Sequence, residues 1–163
     1  MNLPISIANG SISAAAVSEL ESRIAPMPVS GVAMELPART SVEAHEHQSG
    51  QLIFAGRGVL KVEIDFTRWV LPPQRAMWIP PRTEHRMRAM TAVSLRNLLI
   101  GDLHTEMLPG QCATLRVDGL LRELIFRLAE HPDDFISDEQ RNAINTLLFE
   151  ELYHSSDEPV SLT

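Results

Sequence analysis

The sequence predicts a mainly β fold, a small barrel or jelly roll, followed by a pair of α-helices. Three observations carry that prediction. Between residues 29 and 100, short apolar runs of period two recur between glycine and proline signals. After Pro109-Gly110 the apolar spacing changes to that of a helix. Finally, the stretch His45-Glu46-His47-Gln48-Ser49-Gly50-Gln51, with His85 downstream, supplies imidazoles that a barrel would gather into one cavity.

Composition sets the outer limits. At 163 residues the chain is long enough for one good hydrophobic core, so a single domain with helical additions is expected and two full-sized domains are not. Hydrophobic residues make up 44% and charged residues 21%, which fits a globular protein and excludes a disordered or fibrous one. The net charge of −7 is uneven: from Glu130 onward nine acids face Arg141 alone, and the rest of the chain is close to neutral. An acidic C-terminal part repels phosphates, so this stretch by itself makes a poor nucleic-acid surface. The basic residues of the middle, Arg57, Lys61, Arg68, Arg75, Arg82, Arg86, Arg88 and Arg96, read as a solvated face.

The single cysteine, Cys112, rules out an internal disulfide and suits a reducing cytoplasm. Gln111 and Ala113 flank it with no activating base, so it reads as a small buried hydrophobe. Met1-Asn2-Leu3-Pro4 lacks the basic start and apolar core of a signal peptide, and no apolar run reaches the ~18 residues that cross a bilayer. A cytoplasmic protein without membrane association is expected.

Residues 1–28 read as an N-terminal arm. Within it, residues 13–24 form a short amphipathic helix with Val17, Leu20 and Ile24 on one side, ended by Pro26 and Pro28; a mobile arm is the alternative. Residues 29–108 form the barrel. Strands are expected at 32–36, 41–47 and 51–55, with a turn at 37–40. Gly56-Arg57-Gly58 then breaks the chain before a strand at 59–64, which pairs with the preceding one as a hairpin. Strands at 68–71 and 76–79 stop at Pro72-Pro73 and Pro80-Pro81, because proline cannot donate to a sheet ladder. Strands at 84–90 and 93–100 complete the set. Residues 115–155 form the helical extension. Val117, Leu120, Leu121, Leu124, Ile125 and Leu128 mark the first helix, which His131-Pro132 ends. Ser137-Asp138-Glu139-Gln140 reads as a capping box for a second helix with Ile144, Leu147, Leu148 and Leu152 as its stripe. That stripe is either core or the interface with a second copy.

The chemistry centres on the histidines. On a strand, His45, His47 and Gln51 can face one cavity while Glu46 faces away. His-x-His presents two imidazole nitrogens to one cation, and His85, after Pro80-Pro81-Arg82-Thr83-Glu84, supplies a third. The amide oxygen of Gln51 is a weaker ligand than a carboxylate. The alternatives are a metal-free polar pocket for an organic ligand and plain structural histidines. His104, His131 and His154 rank lower. No phosphate loop, Ser/His/Asp arrangement or paired-cysteine zinc motif is present.

His45-x-His47, Gln51, Gly58 and Pro80-Pro81-x-x-x-His85 resemble the two-motif signature of the cupins. More narrowly, residues 50–60 with Trp69-Val70-Leu71-Pro72-Pro73 and Trp78-Ile79-Pro80-Pro81 resemble the N-terminal sensor domain of AraC-type bacterial transcription regulators, and residues 120–125 resemble the first helix after that barrel. The resemblance covers roughly residues 29–153. It implies a cupin double-stranded β-helix that binds a small-molecule effector or a divalent metal ion (Zn, Ni, Fe or Mn). It further implies that His45, His47, Gln51, His85 and Trp78 contact the ligand, and that His45, His47, His85 and Gln51 hold the metal. It implies a homodimer through the C-terminal helices, with DNA bound only through a helix-turn-helix part absent from these residues. Residues 156–163 read as the start of a linker to that part. The expectation is therefore a non-enzymatic sensor domain, with a stand-alone metal-dependent cupin oxygenase or isomerase, for which Glu43 and Glu84 are the nearby carboxylates, or a binding-only cupin, as the alternatives.

Overall fold

The computed structural model describes residues 7–23, 28–135 and 137–155. The end of the N-terminal helix at Ile24 and Pro26, and the linker at 156–163, lie outside the described residues. The chain begins with β1 (Ser11–Ile12) and α1 (Ala14–Ser22), followed by strands β2 (Val29–Leu36), β3 (Ser41–His45), β4 (Gly50–Arg57), β5 (Leu60–Ile64), β6 (Thr67–Leu71), β7 (Arg75–Ile79), β8 (His85–Ala89) and β9 (Val93–Ile100). After a short 3-10 turn come β10 (Ala113–Arg116), α2 (Gly119–Glu130) and α3 (Asp138–Ser155).

The strands form two five-stranded sheets in the orders β1-β3-β8-β5-β6 and β10-β7-β4-β9-β2, packed face to face as a jelly roll. Two cores result, and strand parity separates them. Ile53, Ala55, Met77, Ile79, Val93 and Leu95 turn inward and meet the first sheet. Their neighbours Leu52, Phe54, Ala76, Trp78, Leu98 and Ile100 turn outward, where Leu121, Ile125, Leu128, Leu148 and Leu152 of the two helices cover them. Each residue of the second sheet therefore belongs to one core or the other by its odd or even position.

Several details differ from the sequence expectation. The strands on either side of Gly56-Arg57-Gly58 are not a hairpin: β4 pairs with β7 and β9, whereas β5 pairs with β6 and β8 in the other sheet. Gly58, at φ +85°, turns the chain from one sheet to the other, and an added Cβ there would meet the Ala92 carbonyl at 2.0 Å. β10 was not expected; it pairs antiparallel with β7 at the edge of the second sheet and leads into α2. Residues 11–22 lie against the barrel, with β1 added parallel to β3 and Ile12 fully buried. Ser13 caps α1, its hydroxyl accepting from the Ala16 amide at 3.1 Å.

The helices are held where the sequence predicts them. Asp118 caps α2 by accepting from the Leu121 amide at 2.8 Å, and the Ser137 hydroxyl accepts from the Gln140 amide at 3.1 Å at the start of α3. Of the α3 stripe, Leu148 and Leu152 are buried against the barrel while Leu147 stays exposed. α2 lies very close to β2: a Cβ on Gly31 would stand 2.0 Å from the Leu128 carbonyl oxygen. Arg96 of β9 joins the layers by donating to Glu130 of α2 at 2.8 Å and Glu35 of β2 at 3.0 Å. Burial works against that guanidinium's charge, but the two carboxylates outweigh it and hold its pKa above the ordinary value. Among the described residues no helix is long and apolar enough to cross a membrane.

Candidate functional site

The three histidines meet at one mouth of the barrel. His45 closes β3 and sits directly opposite His85, the first residue of β8. Pairing between these strands slips between Val42 and His45. Through that irregularity Val42 and His45, an odd number of residues apart, both line the interior. His47 lies just beyond the strand, where its carbonyl accepts from the Arg82 amide at 2.8 Å. That bond fastens the His47 loop to the turn leading into His85. The ring centroids are 4.4 Å (His45–His85), 5.2 Å (His47–His85) and 5.7 Å (His45–His47) apart. All three residues are buried, and Glu46 between His45 and His47 is exposed.

Each ring is aimed by its own backbone. The Nδ1–H groups donate to carbonyl oxygens: His45 to Glu43 at 2.8 Å, His47 to Ser49 at 2.8 Å and His85 to Thr83 at 2.9 Å. A carbonyl only accepts, so Nδ1 carries a proton in each ring and Nε2 is the nitrogen that faces the cluster. Burial chiefly, then the neighbouring His45, pushes the His85 pKa down to about 3. Burial likewise lowers that of His45. One ring nitrogen from each histidine lies within 4.8 Å of those of the other two.

Gln51 closes the set. Its Oε1 stands 2.7 Å from His47 Nε2 and 3.0 Å from His85 Nε2. Where an Nε2 carries no proton, acceptor faces acceptor, and the cluster needs a positive or proton-bearing partner at its centre. Three arrangements fit: a ring Nε2–H donating to the amide oxygen, a cation among the lone pairs, or the Gln51 amide turned so that its NH2 donates to the rings. Three neutral imidazoles and an amide oxygen, each ring oriented by a second hydrogen bond, form a donor set suited to a borderline divalent ion.

His45 and Gln51 of the cluster form the polar end of a narrow cleft with an internal volume of about 50 Å³. Its walls are apolar, with Ile12, Val17, Leu20, Met34, Leu95 and Leu99 among them. His45, Gln51, Asn97 and Glu21 are the polar residues lining it. Asn97 is buried, and its Oδ1 has no hydrogen-bond partner among the described residues. Glu21, on α1, reaches to 3.8 Å from His47 Nε2. Burial raises its pKa, against the opposing influence of His47.

Asn97 and Glu21 were absent from the sequence reading. Asn97 carries a signal in retrospect, since it is a polar side chain at an inward position of an apolar strand. Glu21 carries none, because it stands 24 residues before the nearest histidine on a different element. Trp78 is a correction in the opposite direction. It belongs to the outward parity of β7, its indole N–H donates to the Pro109 carbonyl at 2.8 Å, and it packs beneath the helices instead of lining the cleft. Glu43 and Glu84 are exposed. Glu43 instead accepts from the Ala14 amide at 3.2 Å. His104 lies exposed over Phe149, and His131 and His154 lie near exposed acids at the ends of α2 and α3. Burial pushes the Cys112 thiol up to about 11, so it is an unreactive packing group.

Comparison with known proteins agrees with this architecture. The cupin domain family model matches residues 32–101. The chain is 34% identical over 108 residues to the HTH-type transcriptional regulator NimR of Escherichia coli K12, a match covering 66% of this chain and 39% of the regulator. The chain thus spans well under half of that relative's length. Among solved structures, ToxT of Vibrio cholerae superposes with a TM-score of 0.60 at 7% identity, covering 84% of this chain and 60% of ToxT. A second ToxT structure, with an unsaturated fatty acid bound, gives a TM-score of 0.59 at 8% identity, covering 83% of this chain and 57% of ToxT. At such identities the likeness speaks for the fold, barrel and helices together. The two-sheet topology and the inward-facing histidines are in keeping with the cupin domain model that residues 32–101 match.

Proposed function

We propose that this chain is the effector-sensing and dimerising part of an AraC-type transcription regulator that reads DNA through a helix-turn-helix part beyond these residues. The observation that carries the reading is the 34% identity over 108 residues to an HTH-type regulator, of which the match covers 39%. The division that goes with it is an N-terminal arm at 1–28, a sensor barrel at 29–108, a helical extension at 115–155 and a linker beginning at 156. A regulator of this kind works in the cytoplasm.

His45, His47 and His85, with the Gln51 oxygen, are the residues that would hold a divalent ion of the zinc, nickel, iron or manganese group. Bound there, it supplies positive charge and open coordination positions for a polar atom of an effector. The cleft itself selects a small, mainly apolar molecule with one hydrogen-bond donor for Asn97 Oδ1. Dimerisation would use the apolar side chains left outside the core of the helical layer: Leu120, Leu147 and Tyr153 are all exposed.

A metal-dependent cupin enzyme is the second reading, favoured by one observation: the histidine cluster opens onto a cleft with a carboxylate, Glu21, beside it. It ranks behind the sensor because Glu43 and Glu84, the carboxylates nearest the histidines in sequence, face solvent. A binding-only cupin lacks any DNA-reading part.

The experiment is DNA binding by the whole gene product, followed by fluorescence anisotropy on DNA from its own upstream region, with and without added divalent ion. The wild type is expected to change its DNA affinity several-fold on loading, and His47→Ala to lose that response. A gene product that binds no DNA, or whose His47→Ala variant responds like the wild type, would sink the proposal.

A further inference from the structure

We infer that Glu21, carried by α1, is the charged ligand of the histidine site, so that occupation of the site and docking of α1 on the barrel are one event. This rests on the proposed reading of the cluster as a cation site.

Charge provides the first argument. An imidazole that binds a cation through Nε2, its one proton held by Glu43, Ser49 or Thr83, adds no charge, and Gln51 adds none either. A doubly charged ion among them, at the end of an apolar cleft, has no countercharge from the strands. Burying such an ion uncompensated is strongly unfavourable. Glu21 is the one carboxylate among the described residues lining the cleft.

Distance provides the second. Two ligand atoms bound to one ion at about 2.1 Å each stand about 3.0 to 3.4 Å apart. Glu21 Oε1 is 3.8 Å from His47 Nε2, within a side-chain rotation of that spacing. The carboxylate approaches from above the barrel, whereas every other donor comes from β3, β4, β8 or the loop after β3. It is therefore the one ligand delivered by α1 and not by the barrel strands or the loop between them.

The third argument concerns what else holds α1. The helix buries none of its residues fully; beyond β1, which pairs with β3 just before it, its described attachments are the Glu43 bond to the Ala14 amide, the packing of Ala16, Val17 and Leu20, and Glu21 itself. An ionic bond from Glu21 to a shared cation would be the strongest of these.

The test uses cobalt(II), a spectroscopically visible divalent ion, with the intact chain. Titration is followed by the visible absorption of the cobalt and by hydrogen–deuterium exchange of residues 14–22. Wild type is expected to bind cobalt and to protect those amides as it loads. Glu21→Gln should weaken binding about tenfold or more, change the cobalt spectrum and abolish the cobalt-dependent protection. Gln51→Glu, added to Glu21→Gln, should restore affinity by supplying a carboxylate from the barrel but leave α1 unprotected, a pattern that simple misfolding would not produce. Cobalt affinity and α1 protection unchanged in Glu21→Gln would overturn the inference while leaving the histidine site standing. Failure of the double variant to regain affinity would overturn it too. Absence of cobalt binding by wild type, or binding that survives His85→Ala, would overturn the cation site and this inference together.

Discussion

Gln51 and Asn97 show how much a single inward position decides. Both lie on strands whose other inward residues are apolar, and both place an amide in the barrel. Gln51 stands against two imidazole nitrogens, but the oxygen of Asn97 has no partner among the described residues. A buried acceptor without a donor costs about 1–3 kcal/mol. Replacing Asn97 with Leu should therefore raise the thermal midpoint of the ligand-free chain and weaken effector binding; a melting scan showing no gain would mean that the oxygen is already satisfied. The histidine constellation was legible because alternation on a strand puts His45 and His47 on one side and the prolines fix where β8 begins. The slip between Val42 and His45 was not, since a bulge has no distinct residue signature here. Glu21 was not legible either, because only the folding of α1 over the mouth brings it there.

At the scale of elements, the strands were readable where glycine and proline mark their ends. Their pairing was less so: Gly56-Arg57-Gly58 looks like a hairpin loop, yet Gly58 passes the chain between sheets. β10 escaped because four residues before a helix carry too little pattern. The α2–β2 contact was invisible for a different reason, since Gly31 works by lacking a side chain. Gly31→Ala puts a methyl 2.0 Å from the Leu128 carbonyl oxygen, so α2 must lift away from the sheet. Overpacking of this kind costs about 1–3 kcal/mol. The expected result is a lower urea midpoint together with faster exchange of α2 amides; a midpoint within error of wild type would show that the helix slides without cost.

For the whole molecule, the buried histidines set a pH dependence. His85 has a folded pKa of about 3, lowered chiefly by burial, against about 6.5 in the unfolded chain. Between those values the unfolded state binds more protons, so stability rises with pH through this window and levels off above it. At pH 5 the loss relative to pH 8 is on the order of 2 kcal/mol from His85. The melting temperature of the chelator-treated chain should fall as the pH drops below about 6.5, and His85→Asn should flatten that fall. A profile that is the same for both proteins would place the histidine in solvent.

One strand connects these scales. Val32 and Met34 of β2 face the cleft, while Gly31, between them and Val29, faces the backbone of α2. The wall of the binding chamber is thus also the seat of the helix, one polypeptide thick, with no cushion of side chains at the point of contact. A guest that bows this wall outward must displace α2 by a comparable amount, and one that leaves it flat sends no signal however tightly it is held. For such a receptor, girth matters more than grip: two molecules of equal affinity but different bulk beside Met34 should produce different outputs.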